Sequence, residues 1–74
     1  MQAALSALRE GRHAEARALF ESAVAGGQTD ATVQLGLAYA CVGLRDVAAA
    51  AAAVERTLAL EPRNLRALIL KADL

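Results

Sequence analysis

An all-α fold is predicted, and three observations carry that expectation. The chain falls on itself without a gap after a shift of 34 residues: Ala4 lies on Ala38 and Ala38 on Ala72, while Ala16 lies on Ala50, Phe20 on Val54, Ala23 on Thr57, Val24 on Leu58 and Asp30 on Asn64. A period of that length marks a helical unit that cannot bury its apolar face alone and must stack on a neighbour. β-branched residues are scarce and apolar-polar alternation never persists, so no strand is signalled. Gly11, Gly26-Gly27, Gly43 and Pro62 cut the chain into helix-sized segments.

The first helix is expected from about Ala3 to Glu10, with Leu5 and Leu8 on one side and Gly11 supplying the turn that ends it. The second spans roughly His13 to Ala25, its apolar set Ala16, Leu19, Phe20, Ala23 and Val24 following helical spacing up to the stop at Gly26-Gly27. Asp30 is placed to cap a third helix, since its carboxylate can accept from an otherwise unpaired backbone N–H. That helix reaches about Val42, and Gly43-Leu44-Arg45 turns the chain. Asp46 then caps a fourth helix that runs through the alanines 48–53 to about Leu60. Alanine has the highest helix propensity and lets neighbouring helices approach closely. Pro62 bars continuation, and Asn64 caps a fifth helix from Leu65 onward.

Residues 31–64 resemble the tetratricopeptide repeat (TPR) pattern of a helix hairpin, which runs W-x₂-L-G-x₂-Y, then A-x₃-F, then a closing Pro. Leu37-Ala38 stands at Leu-Gly, Cys41 at Tyr, Ala50-x₃-Val54 at Ala-x₃-Phe, and Thr57-Leu58 followed by Leu60-Glu61-Pro62 closes the unit. Residues 1–30 carry the second half of a preceding repeat in Gly11-Arg12-His13, Ala16, Phe20, Ala23 and Val24, and residues 65–74 open a third. Gln34 replaces the tryptophan, Cys41 the tyrosine, Val54 the phenylalanine and Gln28 the first repeat's proline. The chain is thus similar to alanine-rich bacterial members of the family. The resemblance implies one domain over residues 1–74, built as a short α-solenoid of two antiparallel hairpins plus a partial fifth helix.

A chain of 74 residues can bury only about 60% of the surface its unfolded form exposes. With 20 alanines and single Phe, Tyr and Met residues, its core must come from closely approaching helices. Eight basic and eight acidic residues are interspersed to a formal charge of zero, which leaves no electrostatic footprint for nucleic acid or an anionic membrane. Cys41 stands alone, so no intrachain disulfide can form and a cytoplasmic location is the default. No signal peptide and no apolar run of about 18 residues is visible.

No catalytic constellation and no cofactor or metal site is expected. His13 has no second ligand at metal spacing and reads as a solvated surface residue. Cys41 falls on the inward stripe with Leu37 and Ala38 and reads as packing. Gly26-Gly27 has neither the strand nor the lysine of a phosphate loop. The resemblance implies a non-catalytic scaffold whose hairpin-opening helices line a concave groove. Leu35, Tyr39 and Val42 are the expected groove residues, with Leu5 and Leu8 one repeat earlier. The lysines, asparagines and arginine with which some family members clamp acidic chaperone tails are missing, so an apolar or amphipathic protein segment is the expected partner. The equally open reading is that these side chains merely cover one another.

Two other readings stand beside the scaffold. The stretch 58–74 looks similar to TPR segments that precede bacterial aspartyl/asparaginyl β-hydroxylase-like domains, which would make the chain the N-terminal part of an enzyme. Alternatively it is a self-assembly module, with Leu65, Ile69 and Leu74 as the contact and a symmetric homodimer as the product. The apolar last helix also predicts that the repeat array continues beyond Leu74.

Overall fold

The computed structural model describes residues 2–74; Met1, the first residue of the repeat expected over 1–30, lies outside them. Among the described residues there are five helices and no strand: α1 (Gln2–Arg9), α2 (His13–Ala25), α3 (Ala31–Gly43), α4 (Val47–Leu60) and α5 (Leu65–Asp73). The helices form two hairpins, α1–α2 and α3–α4, with α5 laid against α4. Helix α3 is the hub, packed most extensively on α4 and α2 and more lightly on α1. Its apolar residues run nearly all round, so two faces can be covered at once, and eight of its thirteen residues are buried.

The two hairpin turns are the same structure 34 residues apart. In the first, the Arg12 N–H donates to the Ala7 carbonyl at 2.8 Å and the Gly11 N–H to Leu8 at 3.2 Å; in the second, the Asp46 N–H donates to Cys41 at 2.9 Å and the Arg45 N–H to Val42 at 3.0 Å. This is the Schellman closure, which satisfies the last carbonyls of a helix by turning one residue left-handed. That residue is Gly11 in the first turn, at φ 78°, and Arg45 in the second, at φ 61°.

Small residues set how closely α2 and α3 meet. A Cβ on Gly36 would collide with the ring of Phe20, and a Cβ on Gly43 with the imidazole of His13. Both pairs are spaced by seven residues on antiparallel helices, so two rings lie on two bare stretches of backbone. The weak helix propensity of a central glycine, about 1 kcal/mol below alanine, is offset by complete burial of Phe20. Ala4, Ala7, Ala16, Ala38, Ala50, Ala53 and Ala67 complete a core in which close backbone approach replaces bulk.

Three local expectations are corrected. Asp30 occupies the N-cap of α3 but its side chain makes no capping bond, whereas Asp46 accepts from Ala49 N–H at 3.2 Å and Asn64 from Ala67 N–H at 3.0 Å. His13 is not a solvated histidine: its ring is half-buried on Gly43, and Nδ1 has no hydrogen-bond partner. Leu19, expected on the apolar face of α2, is exposed, because Ala16 and Phe20 define that face and no helix covers the side where Leu19 projects.

Candidate functional site

Helix α3 divides its side chains among three directions. Gly36 and Gly43 meet α2, while Gln34 meets α4, through a hydrogen bond from Arg56 Nε at 2.9 Å. The remaining direction carries Leu35, Tyr39 and Val42. Leu35 and Tyr39 are half-buried and pack on the core, whereas Val42 is 37% exposed. In α1, Leu8 likewise packs on the core and Leu5 is 37% exposed, while their neighbours Ala4 and Ala7 are buried. By the 34-residue register Leu5 is the equivalent of Tyr39, Leu8 of Val42, and Ile69 of Leu35. Of these, Leu5, Val42 and Ile69 are exposed.

Helix α5 is uneven. Ala67 and Leu70 are buried toward α4, whereas Leu65, at 68%, is the most exposed large apolar residue described, and Leu68, Ile69 and Leu74 are also exposed. Leu65, Leu68 and Ala72 are equivalents of Ala31, Gln34 and Ala38, which are buried in α3 where α4 packs on it. Among the described residues no helix packs on that side of α5, and Leu65 and Leu68 are exposed there.

A depression lies elsewhere, between α2 and α4 with α3 as its floor. It is an open cleft of about 640 Å³ lined by Val24, Leu37, Ala59 and Leu60, with the polar side chains of Glu21, Thr29, Gln34 and Arg56 around them. At 100° per residue, Gln34 and Leu37 sit about 140° around α3 from Leu35, Tyr39 and Val42. Sequence reasoning registered Gln34 only as a substitute for tryptophan. The signal that could have found it is its place three residues before Leu37 on the inward stripe, where an uncharged amide needs a partner once buried.

Charges knit the hairpins together at the surface. Arg17 on α2 reaches Glu21 and Asp46, each at 3.2 Å, and Asp46 uses its other oxygen to cap α4. The hydrogen bond that Arg17 donates to Glu21 holds its guanidinium above the ordinary range. Lys71 on α5 pairs with Glu55 on α4 at 3.1 Å. Cys41 is buried, and that burial pushes its thiol up, the nearby Arg17 charge offsetting only part of the effect. Among the described residues no three of His, Cys, Asp and Glu converge on a common point, and no helix is long and apolar enough to cross a membrane.

A family model described as tetratricopeptide repeat matches residues 7–74. No curated protein and no solved structure matches the chain significantly.

Proposed function

The chain belongs to the tetratricopeptide repeat family, whose domains generally serve protein–protein interaction, and from that premise we propose that the face opened by α1, α3 and α5 takes an apolar or amphipathic segment of a protein partner. The observation that carries this reading is the third direction of α3. On that side Val42 is exposed and Leu35 and Tyr39 are half-buried, and the repeat register puts Leu5, Leu8 and Ile69 at the equivalent positions of α1 and α5. Tyr39 adds a ring with a polar tip, the kind of side chain that anchors interfaces at low entropic cost. The role is non-catalytic: Cys41 is a buried thiol kept protonated by its surroundings, a packing residue and not a nucleophile. One unpaired, buried cysteine also fits a reducing compartment such as the cytoplasm.

The test is selection of peptides from a random display library on the 74-residue chain, followed by binding to Tyr39→Asp and Val42→Asp. Loss of at least tenfold in affinity, with helicity unchanged by circular dichroism, supports the groove. Peptides that bind both variants as tightly as the parent would remove it.

The exposure of Leu65 and Leu68 favours a second reading, self-association of this chain through α5. The opposite end of the stack is polar, with Gln2, Ser6 and Arg9 at the positions equivalent to Gly36, Ala40 and Gly43, so head-to-tail stacking would set leucines against polar groups. A two-fold antiparallel pairing of α5 instead brings Leu65, Leu68 and Ile69 together. It also sets Arg66 of one copy beside Asp73 of the other, and neither has an ion partner among the described residues. Light scattering should then report a dimer that Leu65→Glu and Ile69→Glu convert to monomer; a parent that stays monomeric at several hundred micromolar would rule it out.

A further inference from the structure

We propose that this chain exchanges its C-terminal half, α4 and α5, with a second copy of itself by opening the turn between α3 and α4. The contacts divide the molecule at that turn. Helices α1 and α2 pack on each other and on α3, and α5 packs on α4. What joins the two halves is chiefly the α3–α4 surface, the most extensive in the fold, with the hydrogen bond from Arg56 Nε to Gln34 at 2.9 Å and the ion pair of Arg17 with Asp46 at 3.2 Å. Two opened chains remake that surface between them. Exchange therefore forfeits neither the core of the hairpin nor the partner of Gln34, a side chain only 3% exposed.

The turn itself favours opening. Only Leu44, Arg45 and Asp46 connect α3 to α4, and Arg45 is held at φ 61°, in the left-handed region where a side chain is strained. The equivalent residue of the first hairpin is Gly11, at φ 78°, where no Cβ opposes that conformation. Short connections under strain are the ones through which chains exchange. Opening returns Arg45 to a negative φ in both copies. It releases the N–H groups of Arg45 and Asp46 from Val42 and Cys41, but the Leu44 N–H also donates to Cys41, at 3.1 Å, and keeps that buried residue's carbonyl paired. Leu44 and Val47, 39% and 56% exposed, flank the strained residue. With so short a connection the two hinges pass close to the two-fold axis, where these apolar side chains gain cover that the monomer does not give them. The exposed face of α5 and the groove residues of α3 take no part, so the exchange is independent of both contacts proposed above.

The experiment is to unfold the full chain in urea, refold it by dilution at millimolar and at micromolar concentration, and measure its mass by light scattering after size exclusion. A dimer should form at the higher concentration. A co-refolded mixture of ¹³C,¹⁵N-labelled and unlabelled chains then identifies it: isotope-filtered NOE spectra should show contacts from α3 to α4 that run between chains. Arg45→Gly should lower the dimerisation constant about fivefold, because glycine removes from the closed turn the strain that opening relieves, twice per dimer. Leu65→Glu, at an exposed position, should leave the constant unchanged. A chain that stays monomeric after refolding at millimolar concentration would overturn the proposal. So would a dimer whose α3–α4 contacts all lie within one chain, one that Arg45→Gly forms equally well, or one that Leu65→Glu abolishes.

Discussion

The turns Leu8–Arg12 and Val42–Asp46 have the same hydrogen bonds and almost none of the same residues. The first places glycine at its left-handed position and arginine at the N-cap of the helix that follows. That cap makes no side-chain bond, and Arg12 instead pairs with Glu10 and Glu15. The second places arginine at the left-handed position and Asp46 at the N-cap, where it bonds Ala49 and Arg17 together. One hairpin is unstrained at its turn and uncapped; the other is strained and capped. The contacts beyond each hairpin differ in the same complementary way. Between α2 and α3 a large ring lies on glycine, Phe20 on Gly36; at the equivalent positions of α4 and α5 stand Val54 and Leu70, both buried. His13 lies on Gly43, whereas its equivalent Val47 is exposed. A repeat therefore conserves backbone spacing, and each contact reaches that spacing with its own division of volume.

The largest expected break in this comparison is at Phe20. Phe20→Ala should cost about 3–5 kcal/mol, against roughly 2 kcal/mol for Val54→Ala, because the ring alone fills the space over Gly36. A chain of this size has on the order of 4–11 kcal/mol in total, so urea melts should leave Phe20→Ala close to unfolding. Equal losses at both positions would mean that the two contacts divide their volume alike.

Next comes the other half of the same contact. Gly36→Ala gains up to about 1 kcal/mol of helix propensity but must push Phe20 aside, and overpacking of about 1–3 kcal/mol exceeds that gain. The variant should melt lower than the parent, and adding Phe20→Leu should restore part of the loss. Ala38→Leu, at a fully buried position, should cost a similar 1–3 kcal/mol, whereas Ala52→Leu on the exposed side of α4 should stay within about 0.5 kcal/mol. If Ala52→Leu proved as harmful in thermal melts, the register of α4 would be wrong.

The caps separate the hairpins more gently. Asp46→Ala should cost about 1 kcal/mol through the lost bond to Ala49, while Arg12→Ala should cost less than about 0.5 kcal/mol, since it removes only exposed ion pairs. Arg12→Asp should stabilise the first hairpin if the second's cap can be transplanted. The smallest effect is expected at the left-handed position. Arg45→Gly relieves about 1–2 kcal/mol of backbone strain but gives back part of it as freedom of the unfolded chain, for a net gain near 0.5 kcal/mol. Gly11→Ala should lose about 1 kcal/mol. A loss at Arg45→Gly would show that its side chain contributes more than the turn costs.

The elements were legible because their ends are local chemistry. Gly11, Gly43-Leu44-Arg45, Asp46, Pro62 and Asn64 stop or start helices through their own backbone and side-chain groups, and the structure ends helices within a residue or so of each. Asp30 shows the limit: an N-cap position can be read from spacing, but whether its carboxylate turns toward the backbone cannot. Of the candidate surface residues, Leu35, Tyr39 and Val42 share one face of α3 by helical period alone. Ile69, grouped by sequence reasoning with the end of the stack, is the repeat equivalent of Leu35 and is exposed. The cleft at Gln34 and Arg56 was not legible, because it joins residues 22 positions apart on two helices.

The sequence by itself determined five helices, their breaks, their period and the membership of α3's inward stripe, since helix propensity, capping and a 34-residue repeat act through near neighbours along the chain. Tertiary structure alone decided that Phe20 and His13 would rest on Gly36 and Gly43, that Leu19 would face water, and that Gln34 would be buried against Arg56. Those outcomes depend on how far apart two helix axes lie. That distance is set by the smallest side chains at the contact, and a glycine on one helix acquires its meaning only from the ring that another helix brings to it.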